Sequence, residues 1–441
     1  MEPFVHPYLP LTPREREEML RAIGVADVEE LFADIPPAYR NPPLDLPPPL
    51  SEEEIRREIE ALAAENITPG PYACFLGAGA YRRYIPAVVR ALLARGEFLT
   101  SYTPYQPEVS QGTLQATYEF QTLVCLLTEM EVANAGMYDG ASALAEAALM
   151  ACRVTGRGRI ALLDTVNPRY REVVATYALP QGLALATLSP AAPEVDGETA
   201  CLVVQWPNFF GYLEDLEALA RAAHERGALL VVSADPLACA LFKPPGRYGA
   251  DIVVGGCQGM GVPLSFGGPS VGFFACRERY LRQMPGRVVG RTVDAQGRVG
   301  YVLTLQTREQ HIRRERATSN ICTSQALVAT GVAIYLAALG RHGLRRLAEI
   351  VWHKAHYAAG LLGSLPGYRL PFQGVFFQEF VLQCPLPPAV INRRLLERRI
   401  IGGLDITPLV PNGMLVCVTE MTTRQEIDAF ARALAEVATG G

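Results

Sequence analysis

Lysine is almost missing from this 441-residue chain: Lys243 and Lys354 are the only two among its forty basic residues, and the rest are arginines. Side-chain amine chemistry is therefore confined to two positions. Charge is sparse at 19% of residues, and a net charge of −5 gives no electrostatic reason to expect nucleic acid or an anionic membrane as partner. Ten cysteines are present without a single Cys-x-x-Cys pair, which disfavours both a metal site and a disulfide framework. They read as reduced, buried small hydrophobes of a cytoplasmic protein. The N-terminus, Met1-Glu-Pro-Phe-Val-His-Pro7, has neither a basic region nor an apolar run, so a signal peptide is not expected. The longest apolar stretch, Ala326 to Gly340, falls short of the roughly 20 residues that span a bilayer and reads as a buried helix.

Hydrophobic residues make up 49% of the chain, enough for a large core, and the length allows two or three domains. Residues 1–70 read as an N-terminal arm. Thr12-Pro13 followed by acids is a good helix start, and that helix should run to Gly24, with a shorter one at Val28–Phe32. Seven prolines in the fourteen residues from Pro36 to Pro49 exclude helix and central strand, leaving extended chain. Ser51-Glu-Glu-Glu54 is a capping box that opens a helix reaching about Asn66. So little core of its own suggests that the arm wraps this protein or a partner.

Residues 71–319 alternate strand and helix patterns, the signature of a mainly parallel sheet covered on both faces. The expected strands are Glu131–Ala135, Arg159–Asp164, Leu183–Thr187, Ala200–Gln205, Ala228–Ala234, Asp251–Gly255 and Ser270–Ala275, with helices such as Ser142–Arg153 and Leu213–Arg226 between them. Residues 320–441 read as a smaller α+β domain: a long apolar helix, an amphipathic one at Leu344–Leu362, short strands and a terminal helix at Arg424–Ala438.

The apolar run that begins at Ala228 ends on Asp235, at the carboxyl end of a strand, where open α/β sheets bind ligands. The next strand runs into Gly256-Cys257-Gln258-Gly259-Met260-Gly261. A carboxylate followed by a small-residue turn is the layout of a pyridoxal-phosphate (PLP) site, with the acid beside the pyridinium nitrogen and a lysine in the turn carrying the cofactor. Here Gln258 stands near the expected lysine position. Either the fold is not of that kind, or its chemistry happens on another chain. Asp235 reads equally as a pyridinium partner, present or former, and as a solvated or capping residue before Pro236. Tyr138-Asp139-Gly140-Ala141-Ser142 follows a strand and opens a helix, so Asp139, Gly140 and Ser142 lie where a phosphate cup would be. An ordinary strand-to-helix turn reads as well. Both lysines are expected at the surface: Lys243 on a connecting loop, Lys354 on a C-terminal helix beside His353 and His356.

Two polar segments stand out. Residues 100–112 combine aromatic and hydrogen-bonding side chains with stiffening prolines, as in a rigid contact loop. Residues 304–320 carry Arg308, Arg313, Arg314 and Arg316, suited to an anion or to a solvated face.

Phe75-Leu-Gly-Ala-Gly-Ala-Tyr81, Ser101-Tyr-Thr-Pro-Tyr-Gln-Pro-Glu-Val-Ser-Gln-Gly112, Met137-Tyr-Asp-Gly140, Lys243-Pro-Pro-Gly-Arg-Tyr-Gly-Ala-Asp251 and Ala317-Thr-Ser-Asn-Ile-Cys-Thr323 resemble the first subunit of the glycine cleavage system P-protein, across almost the whole chain. The resemblance implies an aminotransferase-like, fold-type I PLP-transferase architecture. It also implies pairing with a homologous second subunit that holds PLP covalently, doubled to a heterotetramer. Together the two would decarboxylate glycine and pass the aminomethyl group to the lipoyl arm of the H-protein. This chain would then carry no catalytic residue alone. It would lend Tyr102, Thr103, Tyr105, Gln106, Thr318, Ser319 and Asn320 to the partner's site. Asp139, Gly140, Ser142 and Asp235 would line a vestigial cofactor pocket, and no metal, nucleic acid or membrane is implied. Two other readings stay open: a catalytically silent docking or regulatory homologue, and an independent α/β enzyme that uses Asp235 and the 101–112 loop without PLP.

Overall fold

The computed structural model describes Tyr8, residues 11–321 and residues 324–438. Met1–Pro7, Cys322, Thr323 and the last residues of the chain, parts of two sequence expectations above among them, lie outside the described residues. The chain divides into two units, Met1–Ile67 and Thr68–Gly441.

The first unit holds α1 (Pro13–Ile23) and α2 (Glu52–Ala64). Each opens on the capping box legible in the sequence: Thr12 with Glu15, and Ser51 with Glu54, every side chain accepting from the other's backbone N–H. A short 3-10 helix spans Val28–Phe32, and the proline run contains one 3-10 turn, Pro37–Tyr39, and no other regular element. Neither helix buries a residue.

The second unit begins with β1 (Ala73–Cys74), α3 (Ala87–Leu93), α4 (Gly96–Leu99) and α5 (Gln111–Thr128). Then β2 (Val132–Ala133), α6 (Gly140–Thr155), β3 (Arg159–Leu163), α7 (Pro168–Ala178), β4 (Ala184–Leu188), β5 (Thr199–Trp206), α8 (Leu216–His224), β6 (Leu229–Ala234), β7 (Ile252–Gly256) and β8 (Gly272–Cys276) follow. All seven strands expected from the sequence enter one sheet, in the order β2-β8-β7-β6-β5-β3-β4. The run from β7 to β4 is parallel; at one edge β8 pairs antiparallel with β7, and β2 pairs antiparallel with β8. Strands β5 and β6 are buried almost throughout, which is why they read as unbroken apolar runs rather than alternating ones. Buried Asp251 is satisfied structurally: it accepts from the Leu230 N–H at 2.9 Å and from Arg279 at 2.8 Å, and lies 2.7 Å from His224 Nε2.

A hairpin of β9 (Val288–Val293) and β10 (Val299–Thr304) follows, then short α9 (Gln310–Arg313). The sequence reading named neither the hairpin nor α5. Gln111, placed there within a loop, begins that helix, and its side chain holds the hairpin by accepting from Tyr301 N–H at 2.8 Å and donating to Tyr301 O at 2.9 Å.

The two helices expected after residue 320 are both present, following one another in α10 (Ala326–Gly363) and separated at Gly340, whose φ of 62° and ψ of 179° are not helical. Its first half packs into the core around the large sheet, through residues such as Val332 and Leu336. Its second half packs into another core through Ala355, Ala359 and Leu362. That is the physical reason for its high apolar content. The second core is completed by β11 (Glu379–Gln383), α11 (Pro388–Glu397), β12 (Ile400–Ile401), β13 (Leu404–Asp405), β14 (Gly413–Cys417) and α12 (Arg424–Ala438). Strands β11, β14 and β13 form its antiparallel sheet, and β1 pairs with β12.

Candidate functional site

The carboxyl ends of β5, β6 and β7 converge on a cleft, as strand-end geometry in a parallel sheet dictates. Asp235 stands in its wall with Tyr81, Arg83, Tyr170, Gln378 and Glu379. The free space is about 60 Å³, against roughly 300–1,000 Å³ for ordinary small-molecule sites.

Asp235 is engaged on both oxygens. Oδ1 accepts from the backbone N–H groups of Leu237 at 2.7 Å and Ala238 at 3.1 Å, and Oδ2 from Gln378 Nε2 at 2.8 Å. The capping contact of the second sequence reading is thus present. The Gln378 carbonyl in turn accepts from Arg83, whose other amino group pairs with Glu420 at 2.7 Å. Beside this chain, Tyr81 donates its hydroxyl to Glu379 at 2.9 Å. Burial raises the carboxyl pKa of both acids, that of Glu379 to about 7. Burial also pushes the Tyr170 hydroxyl up to about 12, so it remains protonated.

Gln258 sits in the turn after β7, as its place in the sequence requires. Its oxygen accepts from the Tyr81 N–H at 2.7 Å, and its nitrogen donates to the carbonyls of Tyr81 and Val262, both at 3.0 Å. Asp139 caps α6, accepting from the Ser142 N–H at 2.8 Å, so its carboxylate occupies the helix end where a phosphate would bind. Gly140 lies tightly under the neighbouring strand: a β-carbon there would meet Tyr170 Oη at 2.6 Å and Gly256 N at 2.8 Å. An absent amine, an acid already paired and a helix end holding a carboxylate do not fit PLP. The cleft of this chain is a polar brace.

The lysines divide. Lys243 is exposed, its ammonium 4.2 Å from the centre of the Tyr248 ring. Lys354 departs from the expectation of a surface residue. It is partly buried, and its ammonium donates to the carbonyls of Glu420 at 2.6 Å and Thr422 at 2.7 Å, because α10 runs beneath that turn.

The two polar segments meet on one side of the second unit. Tyr102 and Tyr105 are 71% and 58% exposed on an irregular loop, with Gln106 beside them. Thr103 accepts from Arg287, whose guanidinium also lies 5.2 Å from the centre of the Tyr105 ring. Arg287 pairs with buried Glu309 at 3.3 Å, and the Thr318 N–H donates to the carbonyl of adjacent Arg308 at 3.0 Å. Ser319 donates to buried Glu146 at 2.7 Å, leaving Asn320 exposed. Of the four arginines in the second segment, Arg308 turns inward to the Met284 and Gly286 carbonyls, while the other three face solvent.

Sequence reasoning passed over Arg83, Arg287, Gln378 and Glu379. The adjacent polar pair in Phe376-Phe-Gln-Glu-Phe380, at the start of the apolar strand β11, is the signal that could have exposed the last two. Nothing local marks the arginines.

Comparison with known proteins accords with this geometry. The probable glycine dehydrogenase (decarboxylating) subunit 1 of Thermomicrobium roseum is 52% identical, over 97% of this chain and 99% of its own length. The protein of the same name from Desulforamulus reducens is 51% identical, over 98% and 99%. A crystal structure of glycine decarboxylase (P-protein) of the glycine cleavage system, in inhibitor-bound form, superimposes with a TM-score of 0.93 at 47% identity, covering 98% of this chain and all of that one. A sphingosine-1-phosphate lyase from Burkholderia pseudomallei superimposes with a TM-score of 0.64 at 17% identity, over 91% and 94%, a likeness of fold alone. The architecture is thus that of the fold-type I PLP-dependent transferases. The family model described as glycine cleavage system P-protein matches residues 6–434, and the chain belongs to that family.

Proposed function

We propose that this chain is the subunit without the cofactor-bearing lysine of a two-subunit glycine decarboxylase, the P-protein of the glycine cleavage system. With its partner it decarboxylates glycine and transfers the aminomethyl group to the lipoyl group of the H-protein. The observation that carries this reading is Gln258: its amide is consumed by backbone groups in the turn where a cofactor-bearing lysine would stand. The homologous second subunit holds PLP covalently, and PLP supplies there an electron sink for breaking a carbon–carbon bond.

This chain's share is geometric. Tyr102, Thr103, Tyr105 and Gln106, with Thr318, Ser319 and Asn320, form the face it lends to the partner's site. The exposure of both tyrosines and the anchoring of Thr103 and Ser319 to buried groups support that assignment. The assembly is a heterotetramer of two such pairs. It resides in the cytoplasm, a reading supported by nine described cysteines that all carry free thiols.

Co-expression with the second subunit tests the proposal. The two chains co-purify, the pair releases CO₂ from glycine in the presence of lipoylated H-protein, and this chain alone forms no covalent PLP–lysine adduct. An adduct on the isolated chain, or a pair inactive towards glycine, refutes it. The narrow cleft also suits a catalytically silent docking homologue, which the same assay separates: a docking module leaves turnover untouched when its exposed tyrosines are truncated.

A further inference from the structure

We propose that Arg287 is the positioning residue of the face that this chain lends to its partner, an inference that rests on the functional reading above. Arg287 immediately precedes β9, and its carbonyl accepts from the Ala135 N–H at 2.8 Å, so its backbone is held beside the edge of the large sheet. Its side chain is only 10% exposed and reaches three groups. The Nε pairs with Glu309 at 3.3 Å, an Nη donates to the Thr103 hydroxyl, and the guanidinium carbon stands over the Tyr105 ring, 5.2 Å from its centre. The last two contacts fix both sides of Pro104 in the loop that presents Tyr102 and Tyr105.

The same ion pair also reaches the second lent segment. Glu309 follows Arg308, whose carbonyl receives the Thr318 N–H. Tyr102, Thr103 and Arg287 line one narrow crevice with Ser324 and Ala326, just beyond the Thr318–Asn320 segment. One guanidinium thus ties both loops to the sheet. A buried ion pair is weak evidence for stability, so its value here lies in orientation. Arginine suits that task because its planar fork donates in two directions while presenting a face to an aromatic ring. Lysine keeps the charge opposite Glu309 but cannot serve Thr103 and Tyr105 at once.

The test uses the co-purified two-subunit enzyme carrying Arg287→Lys, with Tyr105→Leu and the double variant. Arg287→Lys should retain assembly, PLP content and melting temperature while kcat for glycine-dependent CO₂ release falls roughly 10- to 100-fold, the scale of a misplaced active-site group. The effects of Arg287→Lys and Tyr105→Leu should be non-additive, because they disrupt one contact. Amide exchange over residues 101–106 should quicken in Arg287→Lys, a readout that needs no turnover. Unchanged exchange together with unchanged kcat in an active enzyme overturns the inference alone. A wild-type pair without glycine-dependent CO₂ release overturns the functional reading instead, and the exchange rates still decide whether Arg287 holds the loop.

Discussion

Gln258 and the backbone of Tyr81 form a reciprocal pair, the amide oxygen accepting at 2.7 Å and the amide nitrogen donating at 3.0 Å. A residue in the turn after β7 is thereby used to close a loop that arrives from 177 positions upstream. An amide, with an acceptor and donors on one short stem, satisfies both backbone groups; an ammonium offers donors only.

Restoring a lysine should therefore not restore a cofactor site. Gln258→Lys leaves the Tyr81 N–H without its acceptor and should cost about 1–3 kcal/mol of stability. Asp235 stays committed to Leu237, Ala238 and Gln378. Denaturant titration and absorbance with added PLP check both parts; a stable variant that forms the PLP–lysine adduct would refute the account of the cleft as a brace.

Glu379 predicts a pH dependence. Burial raises its pKa from 4.5 to about 7, so between those values the native chain holds a proton that the unfolded chain has released. Its contribution is therefore fully favourable below the unfolded value and declines as pH rises to about 7, by up to about 3 kcal/mol. Glu379→Gln should flatten that part of the stability profile. Equal slopes for wild type and variant between pH 5 and 7, in matched urea titrations, would refute it.

Tyr102→Ala and Tyr105→Ala probe the lent face. Both rings are well exposed, so stability of the chain should change by less than about 0.5 kcal/mol. Turnover by the two-subunit enzyme should fall about tenfold or more while the subunits remain associated. Size-exclusion chromatography and CO₂ release, measured on the same preparation, check this. Full activity in both variants would favour a docking role.

Lys354→Met removes two short hydrogen bonds that tie α10 to the turn at Glu420 and Thr422. The stem still packs, but two carbonyls lose a charged donor, and the expected cost is about 1–3 kcal/mol. Because Lys354 serves structure, the two-subunit enzyme should keep its PLP content. Thermal melting and cofactor stoichiometry provide the readout.

Much of the fold was legible because its signals are local. The buried strands β5, β6 and β7 are unbroken apolar runs, both capping boxes of the arm lie within four residues, and Asp235 falls where an apolar run stops. The hairpin β9–β10 was missed, since its outer strands are partly exposed and Gly-containing and carry no strong period. The break between the two helices of α10 was legible as well, because the composition changes near Gly340, where the backbone leaves the helical region.

Two determinations belong to the sequence alone: which chemistry this chain cannot perform by itself, because only two of its side chains are amines and neither lies in the turn after β7, and which family it resembles. Only the tertiary structure decided what replaced that chemistry. Arg83, Asp235, Gln378 and Glu420 come from four distant stretches of chain, and no local pattern announces that they will meet. Their pairing arises because a buried carboxylate or guanidinium must find a partner, and packing of the two cores brings those partners within reach.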